Sequence, residues 1–130
     1  MIVDTNVLIR IMQDNESAVQ KVGDLESQYV PLRISSISLF ELHHSLERVD
    51  NPLERRRRIE AVLASKPTYS ADSTVMKKAG RIDGRLTSEG RAIGMGDTII
   101  AATALVHEEP VLTENVRHFE RIDELEVESY

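Results

Sequence analysis

The chain has 130 residues, 41% of them hydrophobic and 29% charged, with a net charge of −6 and no cysteine. A chain of this size forms one domain, 1–130, that buries a core without staples, and the missing cysteines exclude disulfides, thiolate metal sites and cysteine nucleophiles. The acidic balance argues against indiscriminate nucleic-acid binding while leaving room for a local basic face.

No apolar run approaches membrane-spanning length. The N-terminus has no basic region, and Asp4 interrupts its only apolar stretch, so no secretory signal is read there. The expectation is a cytoplasmic protein with no membrane role.

Ile2 and Val3 read as a short buried strand, and Val7, Leu8, Ile9 and Ile11 begin a helical pattern directly behind it. Asp4 stands where strand becomes helix. A carboxylate inside a buried apolar segment is costly unless it is paired, hydrogen-bonded or bound to a cation, and that edge of an open α/β sheet is where ligands bind. Alone, Asp4 could equally cap the helix.

Ala18, Val22, Leu25 and Tyr29 predict a helix over roughly 16–28, closed by Pro31, and 32–36 reads as a second strand. Ser38 and Glu41 have the spacing of a capping box. Leu39, Leu42, Leu46 and Val49 carry that helix to near Asp50. Asn51-Pro52 starts the next, with Asn as cap and Pro at the first turn. Arg55 to Arg58 lie within it, where Glu54 and Arg58 can pair one turn apart; such runs are usually solvated faces.

Pro67-Thr68-Tyr69 reads as an edge strand, and Asp72 caps a long helix carrying Val75, Ala79, Ile82 and Leu86 up to Gly90. Lys77, Lys78, Arg81 and Arg85 occupy its other faces, with Arg91 just beyond; these five are the candidate contacts for a nucleic-acid backbone. Gly94 to Ala104 begins as a loop and becomes a helix apolar nearly all round, hence buried, with Asp97 at its N-terminal end. Residues 110–113 predict a fourth strand, 116–121 a short helix and 125–127 a last, edge-like strand. Alternating strands and helices imply a parallel sheet covered on both faces.

If the first strand is central, with the second and fourth beside it, then Asp4, Glu41, Asp97 and Asn115 converge at one sheet edge. Three acidic oxygen donors without histidine or cysteine suit Mg²⁺ or Mn²⁺; packed together without a cation they would repel. A carboxylate-held cation can activate water and neutralise charge on a phosphodiester, which is metal-dependent nuclease chemistry. Thr5, Asn6, Ser38, Thr98 and Thr113 lie beside the acids and can orient them or a water. Each acid also has a plain reading, since Glu41 could complete the box of Ser38 and Asp97 could be a cap.

Four stretches then carry a family resemblance: 2–9 (Ile-Val-Asp-Thr-Asn-Val-Leu-Ile), 35–42 (Ser-Ser-Ile-Ser-Leu-Phe-Glu-Leu), 96–104 (Gly-Asp-Thr-Ile-Ile-Ala-Ala-Thr-Ala) and 112–119 (Leu-Thr-Glu-Asn-Val-Arg-His-Phe). In this order and spacing the chain resembles the PIN domain, and within it the small VapC-like toxin ribonucleases of toxin–antitoxin pairs. The resemblance implies a three-layer α/β/α fold with a parallel sheet of four to five strands. It also implies Mg²⁺- or Mn²⁺-dependent RNA cleavage, with Asp4, Glu41 and Asp97 as metal-binding acids and Asn115 as a fourth, neutral site residue. Many members carry an acid at the position of Asn115, so a second tightly held metal is in question. Homodimerisation and inhibition by a small antitoxin protein follow from the resemblance alone. A helix face with Leu39, Phe40, His43 and Leu46 could serve a partner but is more often core, and His43 and His44 read as packing or surface residues.

Two other readings compete. A catalytically silent module of this fold would bind RNA or protein without cutting, although it would be expected to have lost an acid. A phosphatase of the haloacid dehalogenase type needs a second aspartate at the position of Asn6.

Overall fold

Five short parallel strands form the middle layer of the protein. The structure is a computed structural model that describes residues 1–130. Strand β1 (Ile2–Val3) leads into α1 (Thr5–Met12) and α2 (Glu16–Ser27); β2 (Ile34–Ser35) leads into α3 (Ser36–His44) and a 3-10 turn at Ser45–Arg48. Then come α4 (Pro52–Leu63), β3 (Thr68–Tyr69), α5 (Ser73–Ser88), α6 (Met95–Val106), β4 (Val111–Leu112), α7 (Val116–Phe119) and β5 (Val127–Glu128).

Strand β1 is central, as its apolar sequence requires. It pairs in parallel with β4 in the register Ile2 to Val111, and β4 pairs with β5 as the opposite edge. On its other side a bridge joins Ile2 to Arg33, at the start of β2, which pairs in parallel with β3. The two sheet segments thus run in the order β3-β2-β1-β4-β5, three strands plus two.

Alternation along the strands divides the core. Ile2 and Val111 face a cluster with Val75, Ile82, Leu86, Ile100 and Phe119, from α5, α6 and α7. Val3 and Leu112, with Ile34 of β2, face the opposite cluster with Val7, Leu8, Val22, Leu42, Ile59 and Val62, from α1, α2, α3 and α4. The result is the expected three-layer α/β/α arrangement. Helix α6 is buried at every position from Thr98 to Ala104, consistent with its apolar composition.

Several caps match their sequence signals. Asn51 accepts from Glu54 N with Pro52 at the first turn, and Asp72 accepts from Val75 N. Glu54 pairs with Arg58 at 3.5 Å, one turn on. Arg58 also reaches the Met12 carbonyl, and Arg55 Nε donates to Ser45 Oγ at 3.1 Å, so two of the four arginines tie α4 to its neighbours.

Three expectations are corrected. The capping box at Ser38 does not form: the cap lies three residues earlier, at Ser35, which accepts from Ile37 N. That helix also stops at His44 rather than near Asp50, giving way to the 3-10 turn. Asp97 is not a cap, because α6 begins at Met95 with Gly94 before it at φ +95°, a left-handed conformation that favours glycine. Strand limits also shift by one or two residues; Leu125, expected in the last strand, instead turns into the core.

Candidate active site

The C-terminal ends of β1, β2 and β4 place the acids in one cleft. Asp4, the residue after β1, is 1% exposed. It holds the N-cap position of α1, but its side chain makes no capping bond; Oδ2 accepts instead from Thr113 Oγ1 at 2.7 Å, across from β4. Thr113 Oγ1 in turn accepts from Asn115 N at 2.8 Å, so both capacities of the hydroxyl are used and its orientation is fixed.

Glu41 is held from α1. Thr5 Oγ1 donates to Glu41 Oε1 at 2.7 Å and lies 2.8 Å from Ser38 Oγ. Because a carboxylate only accepts, the Thr5 proton goes to Glu41 and Ser38 must donate to Thr5. On the far side Glu41 lies against the first turn of α6, where a Cβ on Gly96 would come within 2.7 Å of Oε2.

Asp97 is held from α7. Its Oδ2 accepts from His118 Nδ1 at 2.9 Å and from Asn115 Nδ2 at 3.3 Å. The Asn115 nitrogen is also 2.8 Å from His118 Nδ1, which can serve only one of these partners at a time.

A cavity of about 460 Å³ is lined by Asp4, Thr5, Asn6, Ile9, Phe40, Glu41, His44 and Asp97, with no lysine or arginine among them. Burial pushes the Asp4 carboxyl up to about 6, and the charges of Asp97 and Glu41 add to the rise against the Thr113 hydrogen bond. Three oxygen-donor acids, two of which raise the cost of ionising Asp4, with no lysine or arginine in the lining, have the donor chemistry of a hard-cation site. As they stand, no three acidic or histidine groups close around a single point as a finished ligand set.

Of the supporting residues expected from the sequence, Thr5 and Thr113 contact the acids, Ser38 bonds Thr5, and Asn6 lines the cavity. Thr98 does not join them; its hydroxyl donates to the Gly94 carbonyl at 2.6 Å and steadies the turn before α6. Lys77, Lys78, Arg81 and Arg85 stand on α5 and none lines the acid cavity, while Arg91 lines a separate cleft with Arg117, Glu120 and Arg121. Arg121 anchors that cleft by donating to the Arg91 and Ala92 carbonyls at 3.0 and 3.1 Å.

His118 was missed in the sequence as a partner of Asp97, whereas Phe40, read on a face that could serve a partner, and His44, read as a packing or surface residue, are exposed and line the cavity. His118 follows Asn115 by three residues at the start of a helix, a spacing that puts both on one face and was there to be read. Phe40, grouped with a face more often core, is 66% exposed at the cavity rim.

The PIN domain family model matches residues 1–125. The chain belongs to the PIN domain family. Among similar proteins, "Ribonuclease VapC1" of Rickettsia felis is 32% identical over 130 residues, covering 98% of this chain and 93% of the relative. The "tRNA(fMet)-specific endonuclease VapC" of Shigella flexneri is 28% identical over 127 residues, covering 98% and 95%. In the crystal structure of VapBC2 from Rickettsia felis bound to a promoter DNA fragment, a chain superposes with a TM-score of 0.90 at 22% identity, covering 99% of this chain and 97% of that one; this shows the shared PIN fold. The DNA-bound VapBC of Salmonella typhimurium gives 0.88 at 26% identity, with 98% and 96% covered. Within this PIN domain three of the four stretches singled out in the sequence line the cavity, joined by His44 just beyond the second; the fourth, 112–119, supplies Thr113, Asn115 and His118, which hold Asp4 and Asp97. No helix is long and apolar enough to cross a membrane.

Proposed function

We propose that this PIN domain is the toxin of a toxin–antitoxin pair, a Mg²⁺- or Mn²⁺-dependent endoribonuclease. The observation that carries the reading is the cavity shared by Asp4, Glu41 and Asp97 at the sheet edge. The names of the VapC relatives, a ribonuclease and a tRNA(fMet)-specific endonuclease, support RNA as the substrate.

Asp4, Glu41 and Asp97 would hold the cation. When bound, it supplies an activated water and neutralises charge developing on a phosphodiester, which is then hydrolysed. The chain's own contribution is preorganisation: each acid is fixed from a second element, Asp4 by Thr113, Glu41 by Thr5 (itself bonded by Ser38), and Asp97 by His118 and Asn115. Asn115 is neutral and adds no charge to the set, which favours one tightly held cation over two. Arg91, with Lys77, Lys78, Arg81 and Arg85, is assigned to RNA backbone contacts outside the cavity. A small antitoxin protein, a homodimer and a cytoplasmic location complete the proposal.

The competing reading, a silent PIN-fold module that binds RNA or protein, predicts no cation binding by these acids.

The test incubates the protein with structured and single-stranded RNAs, initiator tRNA included, in Mg²⁺, in Mn²⁺ and in EDTA. Folded Asp4→Ala and Asp97→Ala proteins run alongside. Cleavage that needs the metal and disappears in both variants is the expected result. Absence of cation binding by calorimetry would overturn the metal site and favour the silent module.

A further inference from the structure

We infer that Phe40 and His44 form a stacking platform for one unpaired RNA base beside the bond that is cut. The inference rests on the ribonuclease reading above and adds a specificity element to the same cleft.

Phe40 and His44 are one turn apart on α3, so their side chains lie on one face of the helix. Their ring centroids are 6.3 Å apart with planes inclined by 21°, a stacked arrangement. A phenylalanine left 66% exposed has not been placed for the core. The pair lines the same cavity as Asp4, Glu41 and Asp97, and Glu41 sits between the two rings in sequence.

The chemistry of the cavity narrows what fits beside these rings. Its acids and its lack of lysine or arginine disfavour a further phosphate on this side. A neutral, flat group with a π-face is favoured, and every nucleobase has one. The base must be unpaired, because a base within a duplex already has both faces covered by its neighbours. The platform therefore selects single-stranded or looped RNA, and does so with tolerance for base identity.

The chain contains no tryptophan, so Phe40→Trp places a single fluorescent reporter on the platform. Adding Asp97→Asn keeps the RNA uncut during a titration, and circular dichroism confirms folding. Three probes are compared: single-stranded oligoadenylate of eight nucleotides, a sugar–phosphate oligomer of the same length without bases, and an RNA duplex. Oligoadenylate is expected to quench the tryptophan, and the other two are not. In cleavage of single-stranded RNA by otherwise unmodified protein, Phe40→Ala should raise KM about tenfold, with a smaller change in kcat and recovery in Phe40→Tyr. Equal quenching by the base-free oligomer overturns the inference. So does an unchanged KM in Phe40→Ala, which would leave the rings to a protein partner. If the wild type cleaves no RNA, the ribonuclease reading fails, and the quenching titration still decides whether a base stacks here.

Discussion

Gly96 on α6 lies directly against Glu41 on α3: a Cβ at residue 96 would stand 2.7 Å from Glu41 Oε2 and 3.2 Å from its Cδ. The glycine sits in the first turn of α6, where the preference for alanine falls short of the about 1 kcal/mol of a helix interior. The atom it would strike is the unbonded oxygen of a carboxylate whose other oxygen is held by Thr5. Gly96→Ala is therefore expected to change thermal stability little while displacing the Glu41 carboxylate and lowering kcat at least tenfold. A variant as active as wild type would show that Glu41 need not stand where it does.

Asp4 costs the fold stability in exchange for its position. Its carboxyl titrates at about 6 instead of 3.8, so the folded state holds the proton more tightly than the unfolded one. The contribution of Asp4 to stability is greatest below 3.8, falls as pH rises to about 6, and above that is lower by roughly 3 kcal/mol. Asp4→Asn should flatten this slope and, in EDTA at pH 7.5, move the urea midpoint upward, while abolishing cleavage. Urea melts of both proteins at pH 4.5 and 7.5 check it; a lower midpoint for the variant at the higher pH would count against the assignment.

Thr113 joins Asp4 to Asn115 through one hydroxyl, at 2.7 and 2.8 Å. Thr113→Val keeps the shape and removes both bonds, leaving a buried carboxylate without its donor. The expected loss is roughly 1–3 kcal/mol, with activity or cation affinity down about 10- to 100-fold. Thr113→Ser should retain most of both, since it restores the hydroxyl. Calorimetric Mg²⁺ titrations of the two variants separate the outcomes.

Glu109 anchors the opposite end of the sheet. It meets the N-terminal ammonium, accepts from Tyr69 Oη at 2.6 Å and lies 3.5 Å from Arg33 Nη1. Burial works against its ionisation, yet the bonds from the ammonium and Tyr69, with the charges of the ammonium and Arg33, hold its carboxyl below the usual 4.5. A lowered acid contributes stability that is present above 4.5 and is lost as pH falls through the lower folded value. The melting temperature of wild type should thus drop more steeply than that of Glu109→Gln on acidification below that point. Parallel curves would remove Glu109 as a source of acid sensitivity.

Arg91, Arg117 and Arg121 border one cleft on a protein of net charge −6. If RNA phosphates dock there, Arg91→Ala and Arg117→Ala should each weaken RNA binding uniformly across sequences. Each should also lower the slope of log affinity against log salt by about 1. Arg121→Ala should in addition loosen the loop before α6, whose carbonyls it holds. Salt titrations of binding measure this, and an unchanged slope in the first two variants would place the RNA elsewhere.

The layer order, the central place of β1, the burial of α6 and the gathering of Asp4, Glu41 and Asp97 at one edge were all legible in the sequence. They follow from strand-and-helix alternation and from carboxylates set at strand ends, which are properties of contiguous residues. Which partner each polar group chooses was not legible. Ser38 and Glu41 have the spacing of a capping box, but the Thr5 hydroxyl, 33 residues from Ser38 and 36 from Glu41 in the chain, bonds both. Asp97 has the composition of a cap, yet Gly94 takes the turn and leaves the carboxylate to His118 and Asn115. Phe40 has the hydropathy of a core residue, and only the course of α3 past the cleft turns its ring outward. Local pattern decides the elements because hydrophobic period and backbone propensity act over a few residues. The hydrogen-bond partners and the exposed rings were decided by tertiary structure, since they depend on distances between elements that no local pattern contains.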